Sequence, residues 1–213
     1  MRAGASWKAR RAELRGRGRM DQLTLGGFEP SPERLRHRLF FALLPDAATR
    51  ARIEAVTLQS LSRVPGGGRR VRPHRYHLTL RWLGDHPDAH AHVLDMATHA
   101  ARGVRLAPFD LDLDLRGAFP SARVCWLGCR QAPAALPALR VRLDQGLLGG
   151  PVRLKGGTAL VPHVTVLRDC IDPWPEGALE SPVPWRVERF VLLRSDLDGG
   201  HAYEEVAAWP LQG

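Results

Sequence analysis

The 213-residue sequence predicts an α+β fold: two pseudo-symmetric lobes, each an antiparallel sheet backed by helices, with a central groove carrying one His-x-Thr motif per lobe. Two observations carry that prediction. The runs Tyr76-His77-Leu78-Thr79-Leu80 and Pro162-His163-Val164-Thr165-Val166 repeat one alternating, β-prone pattern. Each run also follows a helical stretch of similar length, as two related units would give.

The elements follow in order. Leu39–Leu44 is an apolar run of strand length, stopped by Pro45. Asp46 to about Ser62 reads as a helix with Ile53, Val56 and Leu61 on its apolar face. Gly66-Gly67-Gly68 is a loop; no Gly-Lys-Ser/Thr follows, so it is no phosphate-binding P-loop. Tyr76–Leu83 is the first motif strand. A second helix runs from His86-Pro87 to about Arg102, and its histidines His90, His92 and His99 read as solvated, since they lack a metal-ligand spacing with an intervening Glu. Phe109–Leu115 alternates without a break and is a half-buried strand whose Asp110, Asp112 and Asp114 form a solvated face. Arg123–Leu127 is a strand, Pro133–Leu148 a third helix and Leu160–Leu167 the second motif strand. Pro173, Pro175, Pro182 and Pro184 mark a loop, and Val187–Leu193 and Tyr203–Ala208 are the final strands.

Composition narrows the class of molecule. Hydrophobic content of 44% and charged content of 25% are those of an ordinary globular chain. A net charge of +9 and a pI near 10.8 call for an anionic partner, nucleic acid first and a membrane surface second. Much of that charge lies in residues 1–36, which read as a disordered basic arm able to clamp phosphates; alternatively, translation begins at Met20 and the stretch before it has no role. Residues 37–213 form the folded domain. Cys125, Cys129 and Cys170 include no Cys-x-x-Cys pair and read as free, buried thiols in a reducing compartment. No run approaches the roughly 18 apolar residues of a transmembrane helix. The expectation is a cytoplasmic monomer that needs no cofactor and no metal.

The two motifs carry the chemistry. Side chains alternate along a strand. His77 and Thr79 therefore project from one face, and His163 and Thr165 from one face of their own strand, while Leu78, Leu80, Val164 and Val166 point into the core. Two such strands can place an imidazole on either side of one small anionic group, as acid–base phosphodiester chemistry requires. Both motifs are followed by an arginine, Arg81 and Arg168. Strand parity puts Arg168 on the face opposite His163.

The chain resembles the 2H phosphoesterase superfamily and, within it, the bacterial and archaeal RNA 2′,3′-cyclic phosphodiesterases, historically called 2′-5′ RNA ligases. The resemblance covers about residues 37–211. It rests on Arg38-Leu39-Phe40-Phe41-Ala42-Leu43-Leu44-Pro45, on His77-Leu78-Thr79-Leu80 with Arg81-Trp82-Leu83-Gly84, and on Gly117-Ala118-Phe119-Pro120. It continues through Arg123-Val124-Cys125-Trp126-Leu127 and Pro162-His163-Val164-Thr165-Val166-Leu167-Arg168 to Leu192-Leu193-Arg194-Ser195, Tyr203 and Trp209-Pro210-Leu211. The lead into the second motif, Arg153–Pro162, departs from the family's Arg-x-Phe-x-Pro-His.

The resemblance implies hydrolysis of an RNA-terminal 2′,3′-cyclic phosphate to a 2′-phosphate without a metal, with reversible 2′-5′ ligation as a related reaction, and cleaved RNA such as tRNA fragments as partner. His77 is expected as proton donor and His163 as proton acceptor. Thr79, Thr165 and Arg168 are expected to hold the phosphate; for Arg168 that role comes from the family alone. Phe41 and Phe119 are candidates to stack on a base, and Phe41 fits the core equally well. Arg123, with Arg72, His74 and Arg75, could contact the RNA backbone. Two other readings stay open: a module that binds an RNA end without turning it over, and a phosphodiesterase acting on small cyclic nucleotides.

Overall fold

A computed structural model describes residues 34, 36–63, 67–87, 90–150, 160–198 and 203–213. The expected basic arm lies outside the described residues except for Arg34 and Arg36. Arg34 pairs with Asp198 at 2.8 Å, and the backbone of Arg36 bonds those of His86 and Leu197.

Nine strands and three helices make up the described fold. In chain order they are β1 (His37–Leu43), α1 (Ala47–Arg63), β2 (Arg69–Arg70), β3 (Leu78–His86), α2 (Ala91–Arg102), β4 (Phe109–Phe119), β5 (Val124–Gly128), α3 (Ala135–Leu147), β6 (His163–Arg168), β7 (Gly177–Val187), β8 (Arg189–Asp196) and β9 (Tyr203–Pro210). The strands form one antiparallel sheet in the order β7-β4-β5-β6-β3-β1-β8-β9, with β2 beside β6. The sequence predicts a separate sheet for each motif. Instead the motif strands β3 and β6 adjoin at the centre of a single sheet, through one residue pair, Leu78 with Val164.

The apolar alternation fixes which face is buried. Leu39, Phe41, Leu43, Leu78, Leu80, Leu111, Leu113, Val164 and Val166 are all at most 2% exposed and pack in one core with Ile53, Val93, Ala97, Leu136, Leu139 and Leu143 of the helices. Asp46 caps α1, its Oδ1 accepting from the Thr49 N–H at 2.6 Å, and Ile53, Val56, Thr57 and Ser60 form the buried stripe. Helix α2 meets α3 closely: a Cβ at Gly146 would stand 2.7 Å from the Ala100 Cα.

Three sequence expectations need correction. The Pro-rich loop is largely a strand. β7 pairs only with β4 and lies at the sheet edge, where proline's missing N–H is tolerated. Val183, Trp185 and Val187 are buried while Pro182, Pro184 and Arg186 are exposed, so the alternation was present and the prolines obscured it. The second helix starts at Ala91 because β3 continues to His86. His90, expected to be solvated, is only 4% exposed; its Nδ1 donates to the Pro87 carbonyl at 2.8 Å and its ring lies 5.1 Å from that of His37. His92 and His99 are exposed, as the helical pattern predicts.

The register slips at matching places in both motif strands. Opposite β1, Phe41 faces Arg81 and Ala42 faces Thr79, which leaves Leu80 as an extra residue. Opposite β5, Cys125 faces Leu167 and Trp126 faces Thr165, which leaves Val166 extra. Each bulge buries two successive residues, Leu80 with Arg81 and Val166 with Leu167, and returns the next to the open face. Those next residues are Trp82 and Arg168. Arg81 is thereby turned to the helix side, where its guanidinium forms a two-pronged pair with Asp144 of α3, which Arg140 also holds at 3.1 Å.

Candidate active site

The site grows from the one joint between β3 and β6. In an antiparallel pair the neighbours of Leu78 and Val164 are His77 with Thr165 on one side and Thr79 with His163 on the other. Leu78 and Val164 face the core, so these four side chains share the open face. Each imidazole has the other motif's hydroxyl across the strand, and the two imidazoles stand on a diagonal. Diagonal neighbours in a sheet are about 7–8 Å apart, a spacing that admits one phosphate group.

Both imidazoles are fixed in the same way. The Nδ1 of His77 donates to the Arg75 carbonyl at 2.8 Å, and that of His163 to the Val161 carbonyl at 2.8 Å. A carbonyl can only accept, so Nδ1 carries the proton in each neutral ring and Nε2 is left for chemistry. Aromatic rings hold the imidazoles edge-on: Tyr203 lies 4.9 Å from His77, and Phe119 lies 4.9 Å from His163.

Burial sets their proton affinities. Desolvation, with the charges of Arg168, His163 and Arg75 adding to it, pushes His77 down to about 4 against the opposing bond to the Arg75 carbonyl. His163 is lowered by the same desolvation, with Arg168 adding to it. Arg168 thus acts on both rings, and the bulge at Val166 is what brings it to the open face against strand parity.

A cavity of about 450 Å³ opens beside His77. His77, Thr79 and Arg168 of the sequence candidates line it, with Phe40, Trp82, Arg38, Arg69, Arg75, Ser195 and Tyr203. Arg38 is held by Asp85 through bonds of 2.8 and 3.0 Å, and Arg69 by Asp169 at 3.3 Å. His163, Thr165 and Phe119 stand together at the second motif and do not line this cavity, and two further candidates lie away from both motifs. Phe41 is fully buried, packed between Phe190 and Trp209, and no base can reach it. Of the two adjacent phenylalanines it is Phe40 that lines the site, 5.3 Å from His77. Arg123 is exposed, in a left-handed conformation (φ 53°) that ends a 3₁₀ turn, and does not line the cavity. Sequence reasoning missed Phe40, Trp82, Tyr203, Ser195 and Arg38; only the family-like runs that contain them signalled their importance. Among the described residues no group of three or more His, Cys, Asp or Glu side chains could hold a metal ion. The Arg153–Pro162 lead falls mostly in residues 151–159, outside the described residues.

Two fixed imidazoles flanked by two threonine hydroxyls and a shared arginine are a phosphoesterase-type arrangement on a single antiparallel sheet. The chain belongs to the 2′-5′ RNA ligase superfamily, whose model matches residues 44–199. It is 31% identical to the RNA 2′,3′-cyclic phosphodiesterase of Thermus thermophilus over 193 residues, covering 83% of this chain and 91% of that one. It is 30% identical to the Escherichia coli protein of the same name, covering 82% of this chain and 96% of that one. Among solved structures it resembles E. coli LigT complexed with 3′-AMP, with a TM-score of 0.71 and 28% identity over 84% of this chain and 99% of that chain. The T. thermophilus protein TT0787 matches with a TM-score of 0.66 and 31% identity, covering 83% of this chain and 98% of that one.

Proposed function

We propose that this protein hydrolyses the 2′,3′-cyclic phosphate at an RNA end, leaving a 2′-phosphate. The observation that carries the reading is the pair of imidazoles on adjoining strands, each with Nδ1 tied to a carbonyl and Nε2 left for proton transfer. The names of the relatives in T. thermophilus and E. coli support the substrate.

The step balances without a metal. His163 Nε2 takes a proton from water as its oxygen bonds to phosphorus. The bond from phosphorus to the ribose 3′-oxygen breaks, and His77, protonated at Nε2, delivers its proton to that oxygen. The phosphate stays on the 2′-oxygen, and the two rings exchange protons with solvent before the next turnover. Thr79 and Thr165 donate hydrogen bonds to the non-bridging oxygens, and Arg168 faces the charge that builds there. Because His77 is neutral in the empty site, the phosphate's negative charge must raise its proton affinity for it to act as donor. Given an RNA 5′-hydroxyl in place of water, the same site forms a 2′-5′ linkage. Phe119 stands beside His163 as a surface for a base, and Arg123 reaches only RNA lying outside the cavity. Two lobes meet at the Leu78–Val164 joint, each bringing one motif to the groove.

The test is turnover of an oligonucleotide ending in a 2′,3′-cyclic phosphate, with the product's phosphorus position read by NMR. A 2′-phosphate product is expected. Binding without turnover would instead identify an RNA-end module.

A further inference from the structure

The hydrolysis above leaves one charge in the cavity without a counterpart. A 2′,3′-cyclic phosphate is a diester with a single negative charge. Of the four arginines lining the cavity, Arg38 is held by Asp85 and Arg69 by Asp169. Arg168 acts on both imidazoles and answers to the reacting phosphate. Arg75 remains. Among the described residues no carboxylate bonds to it. Its guanidinium carbon stands 4.7 Å over the Tyr203 ring, which fixes the group in place, and its Nε is buried with no hydrogen-bond partner. The terminal N–H groups of the same guanidinium, on a residue that lines the cavity, are left to donate to a bound anion.

Its position says which ligand. The Arg75 carbonyl accepts from His77 Nδ1 at 2.8 Å, and its guanidinium lies over Tyr203, whose ring is 4.9 Å from that of His77, so it stands on the His77 side of the pair. His77 faces the departing 3′-oxygen, hence the ribose. From that ribose an RNA strand continues through its 5′-carbon to the next phosphate.

We propose that Arg75, stacked on Tyr203, binds the phosphate on the 5′ side of the terminal nucleotide, which makes an RNA end, rather than a free cyclic mononucleotide, the preferred substrate. The proposal rests on the hydrolase reading above, and its test is chosen to be independent of turnover. The probes are the two stable product forms, uridine 2′-phosphate and uridine 2′,5′-bisphosphate, titrated calorimetrically against the full-length protein. The added 5′-phosphate is expected to tighten binding about tenfold or more. Arg75→Gln should reduce that ratio to near one, and Arg75→Lys should retain part of it. Equal affinity of the two probes for the wild-type protein would overturn the proposal, and needs no variant to fold. A ratio that survives Arg75→Gln would overturn it as well. If the ratio behaves as expected but no cyclic phosphate is hydrolysed, the second-phosphate site stands and the hydrolase reading fails.

Discussion

His77 is held more deeply than His163, although both make the same bond from Nδ1 to the carbonyl two residues before them. Both rings therefore titrate below the usual histidine range near 6.5. The bell-shaped pH profile of kcat/KM, which reports the free enzyme, should have its maximum below pH 6.5. The limbs belong to the coupled pair. Arg168→Gln removes a positive charge that opposes both imidazolium forms, so both limbs should move to higher pH while the rate falls. Limbs that stay in place would show that Arg168 does not face the pair.

The same burial links His77 to stability. Above pH 6.5 the ring is neutral in the folded and unfolded chain, and pH has no effect through it. Between 6.5 and about 4 only the unfolded chain takes up the proton, so stability falls as the medium is acidified. The loss through this group approaches about 3 kcal/mol by pH 4 and stops below it. His77→Gln should flatten the urea-midpoint profile in that window. Parallel profiles for variant and wild type would contradict the buried, neutral ring.

His77→Ala and His163→Ala should each lower kcat by about 10²–10⁴-fold with folding retained. Wild-type turnover should be the same with and without EDTA, since the proton transfers are assigned to imidazoles. Near-normal kcat in either variant, or loss in EDTA that one metal restores, would fail this mechanism.

Phe40 and Phe41 should separate cleanly. Phe41→Ala should cost about 3–5 kcal/mol in chemical denaturation while leaving KM of the folded protein nearly unchanged, because the ring lies in the core. Phe40→Leu should act mainly on kcat/KM, through the wall it forms beside His77.

The cysteines offer a further check. Cys125 and Cys170 lie with their Sγ atoms 3.3 Å apart, and burial pushes Cys170 up to about 11 and the half-buried Cys129 up to about 12. Alkylation at pH 8 should be about a hundredfold slower for the native protein than in denaturant, measured by mass spectrometry. Rapid native labelling at Cys129 or Cys170 would mean that these thiols are open to solvent.

What the sequence disclosed depended on whether alternation was kept. His77, Thr79, His163 and Thr165 could be placed because Leu78 and Val164 alternate with them. Arg168 could not, because the extra Val166 is invisible in a run of apolar residues. Leu39–Leu44 hides parity in the same way, so nothing in it separates the core ring of Phe41 from the site ring of Phe40. β7 was lost to its prolines, which mark loops in general but are admitted at a sheet edge. Tyr203 and Arg75 come to His77 from distant or irregular segments, and only the three-dimensional fold brings them there.

The bulges at Leu80 and Val166 make chain length a stricter condition on this protein than residue identity. Another aliphatic residue at Val166 keeps the count and costs little. Inserting a further residue after it moves every downstream side chain of β6 to the other face. Arg168 then points into the packed interior and Leu167 into the groove. For anyone redesigning the site, or aligning it against distant relatives, a one-residue insertion beyond the threonine of either motif strand therefore marks a different protein surface, even where the histidine and threonine are intact.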